Sequence, residues 1–170
     1  AGKGSAKSVL MGIISCFNDA GYETTVYISS PERSIQHLAD EFGWNYDIVV
    51  CVGGDGTLSE AVNGLLKDGT PAPVLGYIPA GSTNDFASTL GLPKNQLEAA
   101  ALIAKNEPVP VDLGYFNGNY FTYVAAYGAF ANVSYATPQK TKNTFGHLAY
   151  IFEGLANLPS IKPLHTTIEY

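Results

Sequence analysis

The chain has 170 residues, 46% of them apolar and 14% charged, with a formal net charge of −6. That length suits one domain, or one domain with a piece of another, and the balance excludes a disordered chain. An acidic chain offers no general positive field, so no nucleic-acid partner is expected. There is no apolar run of about 18 residues, so no transmembrane segment is expected. The Ala1-Gly2-Lys3-Gly4 start lacks the apolar stretch of a signal peptide. Cys16 and Cys51 show neither metal-ligand spacing nor a disulfide framework. They read as core thiols in a reduced, cytoplasmic setting.

Residues 5–20 read as a helix, with Val9, Ile13, Cys16 and Phe17 at helical spacing and Gly21 at the position after its end. The β-branched and aromatic run 23–28 predicts a strand. Ser30-Pro31 offers an N-cap and a first-turn proline for a helix whose face is Ile35, Leu38, Ala39 and Phe42. Residues 47–52 read as a strand, continuously apolar from Ile48 on, as in a strand buried on both sides. After Gly53-Gly54-Asp55-Gly56 a helix carries Leu58, Ala61, Val62 and Leu65, with Thr57 and Glu60 in a capping-box pattern. Residues 74–78 form the next buried strand, followed by the loop 79–85 and a short helix to Leu90. Asn95 predicts the cap of a helix over 96–105. This alternation signals a parallel sheet with helices packed on its faces. From about residue 108 the pattern changes. Strands 109–116 and 120–126 flank Asn117-Gly118, a strong hairpin signal. A helix over 144–158 and a strand over 165–170 follow.

The chemistry concentrates in two loops. Glycines at 53, 54 and 56 permit positive φ and close approach of backbone to a ligand. Their N–H groups, with the N-terminus of the next helix, suit a phosphate. Asp55 is the odd member among phosphates. It is tolerable if it holds Mg²⁺ or accepts a hydrogen bond from a hydroxyl, and a local cap is the structural alternative. The second loop, Pro79-Ala80-Gly81-Ser82-Thr83-Asn84-Asp85, also follows a buried strand, and Ser82 could cap its helix with Asp85 at the third helical position. Both loops then lie at the carboxyl edge of the sheet, where open α/β sheets bind ligands. Lys3 could serve a third phosphate loop or a frayed terminus. His37 lies on the polar side of a helix, His147 and His165 have no partner at metal spacing, and Lys140 with Lys142 reads as a solvated loop, the alternative being a basic spot facing an anionic lipid surface.

The run Gly53-Gly54-Asp55-Gly56-Thr57-Leu58-Ser59-Glu60-Ala61-Val62-Asn63-Gly64, followed by Leu75-Gly76-Tyr77-Ile78-Pro79-Ala80-Gly81-Ser82-Thr83-Asn84-Asp85-Phe86-Ala87, resembles the catalytic domain of diacylglycerol kinases. The nearest branch is the soluble bacterial lipid kinases. Val111-Asp112-Leu113-Gly114, Val133-Ser134-Tyr135-Ala136-Thr137-Pro138 and Leu158-Pro159 resemble it as well, so the likeness covers essentially the whole chain. The Gly-Gly-Asp-Gly piece alone is shared with NAD kinases and phosphofructokinases.

The resemblance implies an α/β, NAD-kinase/diacylglycerol-kinase-like parallel sheet with helices on both faces over 1–108, its first strand missing. An incomplete antiparallel β-sandwich domain follows over 109–170. It implies ATP in a cleft and Mg²⁺-dependent transfer of the γ-phosphate to a lipid hydroxyl at the inner membrane surface, giving phosphatidic acid from diacylglycerol. By position, Gly2 and Lys3 match the end of the family's Asn-Pro-x-Ser-Gly loop, and Ser29 lies at the nucleotide edge. Gly53, Gly54, Asp55, Gly56, Thr57, Leu58, Ser59 and Glu60 wrap the phosphates. Gly81, Ser82, Asn84 and Asp85 belong to the second nucleotide loop. Asp55 takes the supporting catalytic role and is the metal candidate. The family's general base lies in a late Asp-Gly-Glu segment that this chain does not contain. The expectation is therefore a fragment, inactive alone, that self-associates or forms a homodimer. The alternatives are an NAD kinase and a non-catalytic nucleotide-binding module.

Overall fold

The structure is a computed structural model that describes residues 5–66, 72–126 and 167, with only the backbone of 5–8. The expected helix over 144–158, the strand over 165–170, His147, His165, Lys140, Lys142, Gly2 and Lys3 lie outside the described residues. The elements below belong to the first of two compact units, Ala1–Val124; the second is Ala125–Tyr170.

Helix α1, Ser5–Asp19, turns Ile13 and Phe17 into the core. It ends in two interlocked hydrogen bonds: Tyr22 N–H donates to Phe17 O (3.0 Å) and Gly21 N–H to Asn18 O (2.9 Å). Gly21 takes φ +91°, and the Tyr22 ring meets Phe17 edge-on. Such an ending needs a residue free to adopt the left-handed region, and glycine supplies it.

The strand expected at 23–28 does not form. Its side chains are exposed, Ile28 at 78%, and no ladder bonds hold it among the described residues. Propensity for β structure requires a neighbouring strand to be realised, and here side chains do the anchoring instead. Tyr27 stacks on Phe42 and its hydroxyl hydrogen-bonds that of Tyr46 (2.8 Å).

Helix α2, Ile35–Phe42, is capped by Ser34, whose Oγ accepts from His37 N–H (3.1 Å). The expected cap at Ser30 is displaced because Ser30 and Arg33 exchange backbone hydrogen bonds and close a turn first. A 3-10 turn at Gly43–Asn45 leads to β1, Ile48–Gly53. Helix α3, Asp55–Leu65, returns the chain to β2, Val74–Pro79. Short α4, Asp85–Thr89, and then α5, Gln96–Lys105, follow. Asn95 caps α5 as expected, accepting from the N–H groups of Leu97 and Glu98.

β1 and β2 pair in parallel, from Ile48 opposite Val74 to Gly53 opposite Pro79. Their side chains alternate between two cores. Cys51 and Tyr77 pack with Leu58, Ala61, Val62 and Ala87 on the α3 side. Val50, Val52 and Ile78 pack with Ile13, Phe17, Ala99 and Ala100 of α1 and α5 on the other. Helices on both faces explain the unbroken apolar runs: past the exposed first residue of β2, Val74, the positions of both strands are buried or half-buried. Leu58, Leu65 and Ile78 are fully buried, each contributing about 1.5–3 kcal/mol of transfer free energy. The expected α/β architecture is thus observed.

The hairpin is also observed, with shorter strands than expected: β3 is Gly114–Phe116 and β4 Asn119–Phe121. Asn117 (φ 49°) and Gly118 (φ 82°) make the two-residue turn that matches the strands' twist.

The closest helix contact generates a prediction. A Cβ at Gly64 of α3 would overlap the Gln36 carbonyl of α2 and the Ala39 side chain. Gly64→Ala should therefore lower stability by about 1–3 kcal/mol despite its better helix propensity. Denaturant unfolding would show this as a lower midpoint at unchanged slope.

Candidate phosphate site at the carboxyl ends of the parallel strands

Because β1 and β2 are in register, they end side by side. Ala80 N–H donates to Gly53 O (2.7 Å), extending the ladder one step into the loops. The two loops then meet backbone to backbone. A Cβ built on Gly81 would lie 2.5 Å from Gly54 Cα, and one on Gly54 would lie 3.1 Å from Gly81 Cα. Gly53 is equally confined, its missing Cβ lying 2.5 Å from the Thr57 side chain. Glycines 53, 54, 56 and 81 do not adopt positive φ; Gly54 is extended at φ −95°, ψ −173°. Of the two reasons expected for them, positive φ is not observed; close approach is, at 53, 54 and 81, toward neighbouring protein atoms, while a Cβ on Gly56 would meet no described atom within 4 Å.

Helix α3 starts at Asp55, two residues before the expected boundary. Its N-cap, Gly54, has no side chain to offer, and the first helical bond runs from Leu58 N–H to Gly54 O (3.0 Å). The N–H groups of Asp55, Gly56 and Thr57 therefore have no intrahelical acceptor, and they lie at the positive end of the helix dipole. This is the arrangement that binds an anion. The capping box expected from Thr57 and Glu60 does not exist, because Thr57 is already inside the helix. Glu60 instead accepts from Ile35 N–H (3.0 Å), the first amide of α2.

Asp55 reaches across to the second loop. Oδ1 accepts from Phe86 N–H (3.2 Å) and Oδ2 from the Thr83 hydroxyl (3.3 Å). Of the roles considered for this carboxylate, acceptance from a hydroxyl is the one observed. The second loop has its own brace. Asn84 stands in the left-handed region at φ 54°, ψ 55° and takes the N-cap position of α4 without a side-chain capping bond, so Ser82 lies before the helix start and Asp85 is its first helical residue. Asn84 Oδ1 accepts from Gly81 N–H (2.8 Å) and from the Tyr77 hydroxyl (3.5 Å), and its Nδ2 donates to Gly81 O (3.3 Å). An asparagine tolerates this backbone because its short amide can bond locally. Burial first, and then the charge of Asp55, push the Tyr77 phenol well above its ordinary range, so it stays a donor.

The sequence-predicted residues thus fall into groups. Gly53, Gly54, Asp55, Gly56, Thr57, Gly81, Asn84 and Asp85 are brought together at one edge, with Ser82 exposed on the second loop. Leu58 faces the core, and Ser59 lends its carbonyl to Asn63 Nδ2 (2.9 Å). Ser29 is half-buried just ahead of the Ser30–Arg33 turn, which leads into the α2 amide that Glu60 holds. His37 contacts Glu41 (3.2 Å) on the surface of α2. Thr83 and Tyr77 were not singled out from sequence. The hydroxyl beside an unexplained Asp, and a tyrosine in an otherwise aliphatic strand, were the available signals. Among the described residues no three His, Cys, Asp or Glu side chains are grouped to hold a metal ion. Asp55 and Asp85, in the first turns of α3 and α4, are the carboxylates at this edge. They suit Mg²⁺, which takes one or two carboxylates and completes its shell with phosphate oxygens and water.

Two outcomes follow. Gly81→Ala should destabilise the protein more than Gly54→Ala, because its Cβ meets a backbone atom at the shorter distance. Thermal melts of the two variants check the order. Cys51, buried beneath the first loop, has its thiol pushed up to about 12 by burial and then by Glu60. At pH 8 only about one molecule in ten thousand carries the thiolate. Iodoacetamide should leave Cys51 unmodified in the folded protein and alkylate it on unfolding, as peptide mass spectrometry would read.

These features agree with the comparisons to known proteins. The diacylglycerol kinase catalytic domain model matches residues 1–116. A diacylglycerol kinase of Bacillus subtilis (strain 168) is 38% identical over 172 residues, covering 100% of this chain and 56% of that protein. One from Staphylococcus haemolyticus (strain JCSC1435) is 37% identical, covering 100% of this chain and 52% of its own length. The crystal structure of a diacylglycerol kinase from Bacillus anthracis str. Sterne superposes at a TM-score of 0.62 with 35% identity, over 71% of this chain and 42% of that one. The chain spans about half the length of the curated relatives it matches. With the family model covering more than half of it, the chain belongs to the diacylglycerol kinase catalytic domain family.

Proposed function

We propose that the protein containing this chain is an ATP- and Mg²⁺-dependent lipid kinase that converts diacylglycerol to phosphatidic acid. One observation carries the reading: two glycine loops at the ends of adjacent parallel strands touch backbone to backbone beside an uncapped helix N-terminus. The amides of Asp55, Gly56 and Thr57 hold the phosphate chain of ATP, with Ser82 and Asp85 on its other side. Gly2 and Lys3 add a third contact, and Ser29 borders the nucleoside. Asp55 and Asp85 would be the carboxylates that hold Mg²⁺, which when bound would supply charge neutralisation at the nucleotide phosphates.

In the reaction, the lipid hydroxyl oxygen attacks the γ-phosphorus, the bond to the β–γ bridging oxygen breaks, and ADP leaves. The hydroxyl proton goes to a general base, which this reading places outside residues 1–170. Phosphoryl transfer depends mainly on positioning and charge stabilisation, and the loops described above supply the donor half of that. Residues 1–108 are the nucleotide domain and 109–170 the start of the second. No helix of the described residues is long and apolar enough to cross a membrane. The kinase reading has, as a proposal of its own, a cytoplasmic enzyme that meets its lipid transiently at the inner membrane surface and forms a homodimer.

The test offers diacylglycerol, ceramide and NAD in parallel to the full-length protein with labelled ATP and Mg²⁺. Labelled phosphatidic acid is expected. Labelled NADP would favour the NAD kinase alternative, and ATP binding with no acceptor labelled would favour a nucleotide-binding module. Asp55→Asn should keep the fold, because the amide oxygen can still accept one of the two hydrogen bonds. It should lower turnover roughly 100-fold through loss of charge at the phosphates. Wild-type turnover at saturating Mg²⁺ would contradict this.

A further inference from the structure

Asn63 lies on α3, two turns beyond the phosphate end, and belongs to none of the roles above. Its side chain makes three hydrogen bonds. Nδ2 donates to Ser59 O on its own helix and to Tyr120 O of the hairpin, both at 2.9 Å, and Oδ1 accepts from Tyr120 N–H (2.8 Å). The two bonds to Tyr120 join residues 57 positions apart in sequence.

The hairpin register explains why Tyr120 needs them. With Phe116 opposite Asn119 flanking a two-residue turn, the next pair, Tyr115 with Tyr120, is the one that exchanges no ladder bonds. Tyr120 N–H and C=O therefore point out of the two-stranded ribbon along its free edge. The Tyr120 ring is half-buried against the core that holds Leu58 and Tyr77, so water is partly excluded there. Asn63 presents a carboxamide to that edge in the place of a neighbouring strand's peptide group. It satisfies both backbone groups at once.

We infer that Asn63 is a positioning residue that locks the hairpin onto the phosphate-site helix by standing in for a third strand. This rests on the kinase reading above, in which the sequence from 109 leads to the acceptor side, while the hairpin itself packs within the same compact unit as α3. Asp55 fixes α3 to the donor loops at one end, and Asn63 fixes the hairpin to the same helix near the other. Loss of Asn63 leaves the Gly54–Gly81 contact and the free amides untouched, so ATP binding survives. What it releases is the placement of the hairpin relative to the donor site.

The test uses the full-length protein, as wild type, Asn63→Ala and Asn63→Asp. The Asp variant keeps the acceptor for Tyr120 N–H and sets a carboxylate against Tyr120 O. Both variants should keep ATP affinity within about two-fold by calorimetry, while kcat for diacylglycerol phosphorylation falls about ten-fold or more. Unchanged kcat overturns the inference. So does a fall in ATP affinity proportional to the fall in kcat, which would make Asn63 an ordinary stability residue. Amide hydrogen exchange on the wild type needs no variant: Tyr120 N–H should be protected, and exchange at the rate of an open edge overturns the clamp. Protection at Tyr120 with a wild type that phosphorylates no lipid would count against the kinase reading and leave the clamp standing.

Discussion

The site depends on one constraint, the contact between the backbones of Gly54 and Gly81. Two parallel strands in register must release their chains at the same level. The loops that follow compete for one space, and side chains on both would not fit. With glycine on each side the loops close up. Helix α3 then starts directly at the strand end, with no side chain over its first amides. The free amides at the start of α3, with no side chain capping them, are the consequence of that crowding.

Helix α3 is held by three polar side chains, each directed at a different neighbour. Asp55 reaches the second loop, Glu60 the first amide of α2, and Asn63 the edge of the hairpin. In each case a backbone N–H without a local acceptor, at a helix start for Phe86 and Ile35 and at the ribbon's free edge for Tyr120, is given one by the helix. A buried or half-buried N–H left unpaired costs about 1–3 kcal/mol, so these bonds choose where each segment sits. The motif that marks the family thus carries structural duties alongside the amides proposed to hold phosphate. Asp55 combines a charge near the site with a bridge between its two loops.

The sequence made the layered architecture legible because it follows from pattern. Val50, Cys51 and Val52 are all apolar since each face of the sheet has its own core. Asn117-Gly118 and Asn95 carry local chemistry that leaves little choice. Segment ends were harder to read. Ser30 looked like a cap, yet the Ser30–Arg33 turn closes first, and Ser34 takes the role. Ser82 and Thr57 lost their expected N-cap positions to Asn84 and Gly54, because contact between the loops shifts both helix starts. The strand at 23–28 has the right residues and no partner among the described residues, and a pairing partner is not written in propensity. In the site, close backbone approach is legible in the glycines, but positive φ is not realised, and what Gly54 and Gly81 approach is each other, which sequence spacing does not show. Asn63 was invisible as a clamp because its partner is distant in sequence and offers only backbone.

The central claim is that the uncapped amides at the start of α3, closed in by the Gly81 loop, receive the phosphates of a nucleotide. The most direct measurement is a titration of the isotopically labelled full-length protein with MgATP, followed through its backbone amide resonances. The account predicts saturable shifts centred on Asp55, Gly56 and Thr57, with smaller ones over 81–85. Saturable binding that leaves these amides unmoved and shifts a different surface would contradict it.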